Sequence, residues 1–422
     1  MVTSQVHAPA GVPQKVSKKI EYNLEALRGF AALIVVWAHS IENHNLLDPG
    51  YTPRGIWSFV PPSHLAVLLF FVLSGYVIGL STKQRLEGAS IGVYLKKRLL
   101  RIYPIYFVSL LLTMAVAQPY PLTTVLGNFS LLQVLLTDII RENDPSWSLH
   151  YELLYYLLFI PISYCRIPAL PAALVCVLLG TLNLYLVPQH PLPTSYAYGF
   201  AFWLMGLALS QYAKQLPRKE APFRVLLGLM LVLLTMNYFN VFDTAAHKLL
   251  RLVPGLTYAP GLDAYATQIR FSDFAFLPYA VVFVLVFANK DFPGRRAVLG
   301  VLLGAPALTF VYLGLHFREI DLAPYTLAVL CYLAGVLAVL LPAAGLEKVS
   351  QRLVGRLIWI GGISYGLYIV HVPLLYLFGH ISPVSGSGPT FLLRFVLFLP
   401  LALAVAYWLE RKFQPRVRAH FD

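Results

Sequence analysis

Apolar residues run along the chain in blocks of about 17–22 residues separated by short polar stretches, the length at which a helix crosses the hydrocarbon core of a bilayer. Twelve such blocks can be drawn, at residues 24–42, 65–81, 102–118, 147–165, 169–187, 196–213, 224–241, 273–288, 298–316, 323–342, 357–378 and 390–409. They predict an all-α, polytopic integral membrane protein of about 12 transmembrane helices (10–12), with residues 21–415 forming one transmembrane domain behind a polar tail, residues 1–20. Most connections are short. Of the two long ones, 118–146 holds an apolar piece, 122–140, expected to lie along the membrane surface. The other, 242–272, is rich in Tyr, Pro and Gly and reads either as cover for an outward-facing cavity or as an irregular connection.

Composition supports the pattern. Of 422 residues, 58% are hydrophobic and only 12% charged, and mean hydropathy is +0.68. A soluble domain carries about 25% charged residues, so a globule of this composition would lack the ionic surface that water demands. The net charge of +13 would suit nucleic acid, but the basic residues form no stripe. They lie in short clusters between apolar blocks, as membrane topology produces. With the N-terminus in the cytoplasm, the outer side receives only Arg54, Arg141, Lys248, Arg251, Arg270, Arg318 and Arg394 of the 32 Lys and Arg. Removing any one block would invert everything after it and spoil that asymmetry. Both termini are therefore expected in the cytoplasm, in a multi-pass protein of a bacterial inner or plasma membrane. No nucleic-acid partner is expected. Residues 1–20 carry Lys15, Lys18 and Lys19 but no apolar core, so no cleavable signal is expected. Cys165, Cys176 and Cys331 have no metal-ligand spacing, and no metal site is predicted.

Candidate chemistry lies in the polar residues that do not belong in lipid, which are usually functional or paired. Arg28 and His39 share the first block. Eleven residues apart, they project from one helix face and are separated by about 16 Å along the axis. Arg28 reads either as a snorkelling residue or as a ligand for an anion. Glu152, in the fourth block, enters from the outside to a depth comparable with that of His39. A neighbouring imidazole would relieve its burial, and the carboxylate would orient the ring; the plain alternative is a pair that holds two helices together. Tyr155 and Tyr156 share its face at i+3 and i+4. His150 points elsewhere and reads as interfacial, while His316, Arg394 and Glu410 sit at block ends. Arg98 and Arg101 lie one turn apart on the inner side. With Arg28 they form either a phosphate site, since guanidinium presents a planar fork of donors, or a topological anchor. Gly362-Ile363-Ser364-Tyr365-Gly366 matches a nucleophile elbow but lacks a strand before it, so small-residue packing explains it better.

These motifs occur in a familiar order. Leu27-Arg28-Gly29 leads to His39; Phe70-Phe71-Val72-Leu73-Ser74-Gly75 follows; then Arg98 and Arg101 with Pro104; then Trp147-Ser148-Leu149 with Glu152 and Tyr155; and finally Gly362 to Tyr368 with His371 and Pro373. Together they resemble the acyltransferase-3 family of membrane O-acyltransferases, strongly over residues 22–165 and well over 356–411. Glu25-Ala26 stands where the family often has Asp-Gly, and the twelve blocks exceed its usual core of about ten, with the excess within 273–342. The resemblance implies acyl-CoA (acetyl-CoA) as a cytoplasmic co-substrate rather than a bound cofactor.

The acceptor it implies is a hydroxyl of a glycan, a lipid-linked sugar or another glycosylated molecule met at the bilayer. Its arginine–ten residues–histidine motif falls on Arg28 and His39, its paired arginines on Arg98 and Arg101, and its Trp-Ser-Leu…Glu motif on Trp147, Ser148, Leu149 and Glu152. Arg28, Arg98 and Arg101 would then hold the CoA phosphates, and His39, oriented by Glu152, would take the acceptor proton. Trp147, Ser148, Tyr155, His371 and Ser74 would line the acceptor pocket, Ser74 also being a possible acyl carrier or a packing residue beside Gly75. The competing class is a transporter or flippase of a polar or lipid-linked substrate, which would use the same buried His, Glu and Arg but usually shows repeated halves.

Overall fold

Helices occupy all twelve apolar blocks of the structure, a computed structural model that describes residues 18–253, 258, 261–323, 325–381 and 384–421. Most of the expected tail, residues 1–17, lies outside them. Among the described residues there is no β-strand, only two isolated bridges. This is the outcome lipid imposes, because a helix satisfies its backbone groups within its own segment.

The helices that position the site are α1 (Lys18–Glu42), α2 (Ser63–Ser81), α3 (Ala89–Val116), α4 (Ser146–Tyr164), α5 (Ala169–Leu186) and α6 (Leu192–Tyr212). They are followed by α7 (Phe223–Leu233), α8 (Leu277–Phe287), α9 (Arg295–Gly304), α10 (Tyr325–Leu340), α11 (Ala344–Gly361), α12 (Ser364–Gly379) and α13 (Gly388–Trp408).

Not every block is a full span. Among the described residues, six segments are long and apolar enough to cross a membrane: Asn23–Glu42, Gly55–Ser81, Ala89–Val116, Ala169–Leu186, Arg295–Leu315 and Gly388–Phe421. A seventh arises if α10 and α11, which meet at a 117° bend, count as one broken span. The count of about twelve is thus met by helices but not by full-length spans. Block seven stops as α7 at Leu233, and block eleven is cut at Gly362 into the end of α11 and the whole of α12. Hydropathy sees apolar residues across such breaks and joins what the backbone divides.

Close packing is set by small residues. A Cβ placed on Gly75 of α2 would lie 1.9 Å from the Trp203 carbonyl oxygen of α6, and one on Gly206 of α6 would lie 1.9 Å from the Val72 carbonyl oxygen of α2. The two backbones therefore touch, as small residues permit where lipid supplies no hydrophobic drive between helices. Gly361 of α11 does the same to α1, its Cβ position lying 1.9 Å from the Glu25 carbonyl oxygen. Helix α1 packs on α2, α11 and α12, whereas α4 packs on α3 and α6. That arrangement decides which polar residues meet.

Candidate active site

Arg28 of α1 and Arg98 and Arg101 of α3 open onto one cavity of about 180 Å³, together with Ser74 and Val77 of α2, Ser148, Glu152 and Tyr156 of α4, and Ser364, Tyr365 and Tyr368 of α12. The three guanidiniums differ in what they already hold. Arg28 pairs with Glu25 at 2.9 Å. Arg101 pairs with Glu410 at 2.7 Å and donates to Gln414 Oε1 at 3.3 Å. Arg98 is nearly uncommitted: among the described residues its buried Nε has no hydrogen-bond partner, and a terminal nitrogen reaches Ser81 Oγ only at 3.5 Å. Its plane lies near the Tyr94 and Tyr156 rings, 5.5 and 5.9 Å from their centres. An orphaned buried guanidinium nitrogen is costly unless something else takes its hydrogen.

Deeper in the same cavity, Glu152 Oε1 accepts from Ser74 Oγ at 2.8 Å and from Tyr156 Oη at 2.5 Å. Trp203 Nε1 donates to Ser74 Oγ at 3.3 Å. The carboxylate is thus bound by two hydroxyls and lines the cavity that the three arginines share. Ser148 Oγ lies 2.8 Å from Tyr368 Oη at the cavity wall.

The expected pairing of His39 with Glu152 is not formed. His39 Nδ1 lies 2.8 Å from His371 Nε2, with the rings stacked at 5.0 Å between centres, and His371 Nδ1 lies 2.7 Å from the Tyr368 carbonyl oxygen. The carboxylate whose field reaches His39 is that of Asp144, before the start of α4. Depth along a helix takes no account of lateral neighbours: α1 lies against α12, and α4 against α3 and α6. His39 does not line the cavity. It sits two ring contacts beyond it, since the Tyr368 ring is 6.2 Å from that of His371.

Five further placements differ from expectation. Trp147 is buried edge-on to Phe71 and Tyr151, away from the cavity. Tyr155 turns to α6, packing on Phe200, while Tyr156 alone shares the face of Glu152. His150 is buried rather than interfacial, between the Leu131 carbonyl and Tyr196 Oη at 2.7 Å each. Glu410, read as a block-end residue, is buried against Arg101, and Arg394 turns inward to the Leu47 and Phe378 carbonyls at 3.0 and 3.1 Å. A charge beside an apolar block was the available signal for both.

The model of the acyltransferase-3 family, described as an acyltransferase domain, matches residues 21–317. The chain belongs to the acyltransferase-3 family. Among curated proteins it is 35% identical over 140 residues to "Protein 2 in picA locus" of Rhizobium radiobacter, a match covering 33% of this chain and 63% of that protein. It is 29% identical over 161 residues to "Acyltransferase MdmB" of Streptomyces mycarofaciens, covering 35% of this chain and 40% of the other. The chain thus matches less than two thirds of the length of either relative. No solved structure matches. Within this acyltransferase-3 chain, the three arginines, Ser74, Ser148, Glu152 and His39 all fall inside the matched residues. His371, Tyr368 and Glu410 fall outside them.

Proposed function

We propose that this protein is a multi-pass membrane O-acyltransferase that moves an acyl group, acetyl in the simplest case, from acyl-CoA to a hydroxyl of a glycan, glycolipid or glycosylated small molecule. The observation that carries the reading is the single cavity on which three arginines and a hydroxyl-bound carboxylate converge, with Arg98 holding donors to spare. Phosphate oxygens suit such a cluster, because guanidinium offers fixed paired donors. The CoA phosphates would be held by Arg28, Arg98 and Arg101, at the end of the bundle assigned to the cytoplasm.

From Arg28 to His39 is about 16 Å along α1, comparable with the reach of a pantetheine arm. The arm would run past Ser74, Glu152 and Tyr156 toward Tyr368. Glu152 acts here as the polar centre of the cavity, fixing the two hydroxyls beside the thioester. His39 takes the acceptor's proton from the far side, a contribution of about 10²–10⁴-fold in rate. The name of the Streptomyces relative, an acyltransferase, agrees with this class of reaction.

The test is release of CoA thiol from acetyl-CoA by membranes carrying the protein, with mass spectrometry of surface glycans and lipids to find the acceptor. His39→Gln and Glu152→Gln should each lower release at least tenfold. Wild-type release by both variants would sink the assignment.

A further inference from the structure

The two histidines form a chain whose protons can be assigned. A carbonyl oxygen only accepts, so the 2.7 Å contact between His371 Nδ1 and the Tyr368 carbonyl places a hydrogen on Nδ1. In a neutral imidazole the other nitrogen is then a bare acceptor. His371 Nε2 lies 2.8 Å from His39 Nδ1, so that contact needs the hydrogen on His39 Nδ1. His39 Nε2 is left with its lone pair free, and among the described residues it has no hydrogen-bond partner. The backbone carbonyl thus fixes the tautomer of one ring, and that ring fixes the tautomer of the next.

From this geometry we infer that His371 is the positioning residue for His39, holding it in the Nδ1–H tautomer with Nε2 presented as the base. The inference rests on reading His39 as the base of the proposed reaction. In the step, the acceptor hydroxyl proton moves to His39 Nε2 as the oxygen attacks the thioester carbonyl. The C–S bond breaks, and the sulfur leaves as thiolate and takes that proton back. His39 Nδ1–H remains bonded to His371 throughout, so no second proton need move. His371 itself is fully buried. A neutral imidazole orients its neighbour there without placing a permanent charge in a medium where isolated ions are expensive. The second histidine therefore does the orienting work expected of Glu152, which is engaged with Ser74 and Tyr156 instead.

The direct test is the ¹⁵N spectrum of the full-length, histidine-labelled protein in nanodiscs, in mildly alkaline buffer, with His39 assigned by the loss of its signals in His39→Gln. The expected pattern is a protonated Nδ1 and a bare Nε2. A bare Nδ1 with a protonated Nε2 overturns the inference, whatever the activity. The second arm uses acetyl-CoA as the probe and CoA thiol release as the readout. His371→Gln, whose amide oxygen can still accept from His39, should retain at least a tenth of wild-type kcat, while His371→Leu should lose about 100-fold in kcat with KM for acetyl-CoA unchanged. Equal rates for Leu and Gln variants would also overturn it. If His39→Gln itself released CoA at the wild-type rate, the functional reading would fall, and the tautomer result would stand or fall by itself.

Discussion

Arg101 and Glu410, 309 residues apart in the chain, form an ion pair of 2.7 Å in which the Glu410 side chain is 2% exposed and that of Arg101 30%. Glu410 also accepts the Gly366 backbone N–H at 3.2 Å. One carboxylate thus joins α3 to the start of α12 and to the helical segment after α13, and holds Arg101, which lines the cavity.

The unequal exposure predicts unequal losses. Arg101→Ala leaves Glu410 buried and unpaired, a cost of about 3–5 kcal/mol. Glu410→Ala leaves Arg101 able to reach water and should cost about 2 kcal/mol. Thermal unfolding in detergent would show the difference, and equal destabilisation would count against the pair as described.

Arg98 should matter most for donor binding. Arg28 and Arg101 already hold carboxylates, whereas Arg98 Nε has no partner. A charge-assisted hydrogen bond is worth about 1.5–3 kcal/mol, so Arg98→Ala should raise KM for acetyl-CoA about 10–100-fold with a smaller change in kcat. Arg98→Lys should recover little, since an ammonium cannot reproduce the fork. A KM within a factor of two of wild type for Arg98→Ala would remove this residue from the donor site.

The contact between α2 and α6 gives a stability test with its own control. A methyl on Gly75 has no room beside the Trp203 carbonyl, whereas nothing lies within 4 Å of the Cβ position of Gly92 on α3. Gly75→Ala should therefore destabilise by about 1–3 kcal/mol or more through overpacking. Gly92→Ala should be neutral or stabilising by up to about 1 kcal/mol, because alanine favours the helix. Melting temperatures moving in the same direction in both variants would contradict this packing.

The all-helical class and the close packing at Gly75 were legible in the sequence, and so was the grouping of Arg28, Arg98 and Arg101, as one of two readings. Helical spacing and the cost of charge in lipid are local rules, and they sufficed there. Lateral neighbours were not legible. Nothing in the spacing of α1 or α4 says that His39 meets a helix more than three hundred residues later, so Glu152 was given the role of partner that His371 holds. Twelve full-length spans are not seen among the described residues for a related reason: hydropathy averages over the breaks at Leu234 and Gly362, where the chain turns. Glu410 and Arg394 were passed over because a block end usually faces water, and here tertiary packing closes over both.

Asp48, between α1 and α2, offers a prediction in pH. It is fully buried and accepts from Thr390 Oγ1 at 2.7 Å, from the Gly386 and Gly50 N–H groups at 2.9 and 3.3 Å, and from Ser385 Oγ. Burial by itself would raise its pKa, but these hydrogen bonds outweigh it and hold the carboxyl below its ordinary value of 3.8. A folded-state pKa below the unfolded one means that the ionised group stabilises the fold above 3.8, and that this contribution fades as pH falls through the folded value. Asp48→Asn should therefore unfold at lower temperature than wild type at pH 7, by about 1–2 kcal/mol, with Ser385 and Thr390 losing a charged acceptor. The gap should narrow as the solution is acidified below 3.8, where the wild-type carboxyl also becomes neutral. Melting curves of the two proteins across that range decide it: a gap that stays constant or widens in acid would mean that the charge on Asp48 contributes nothing to joining the α1–α2 connection to the start of α13.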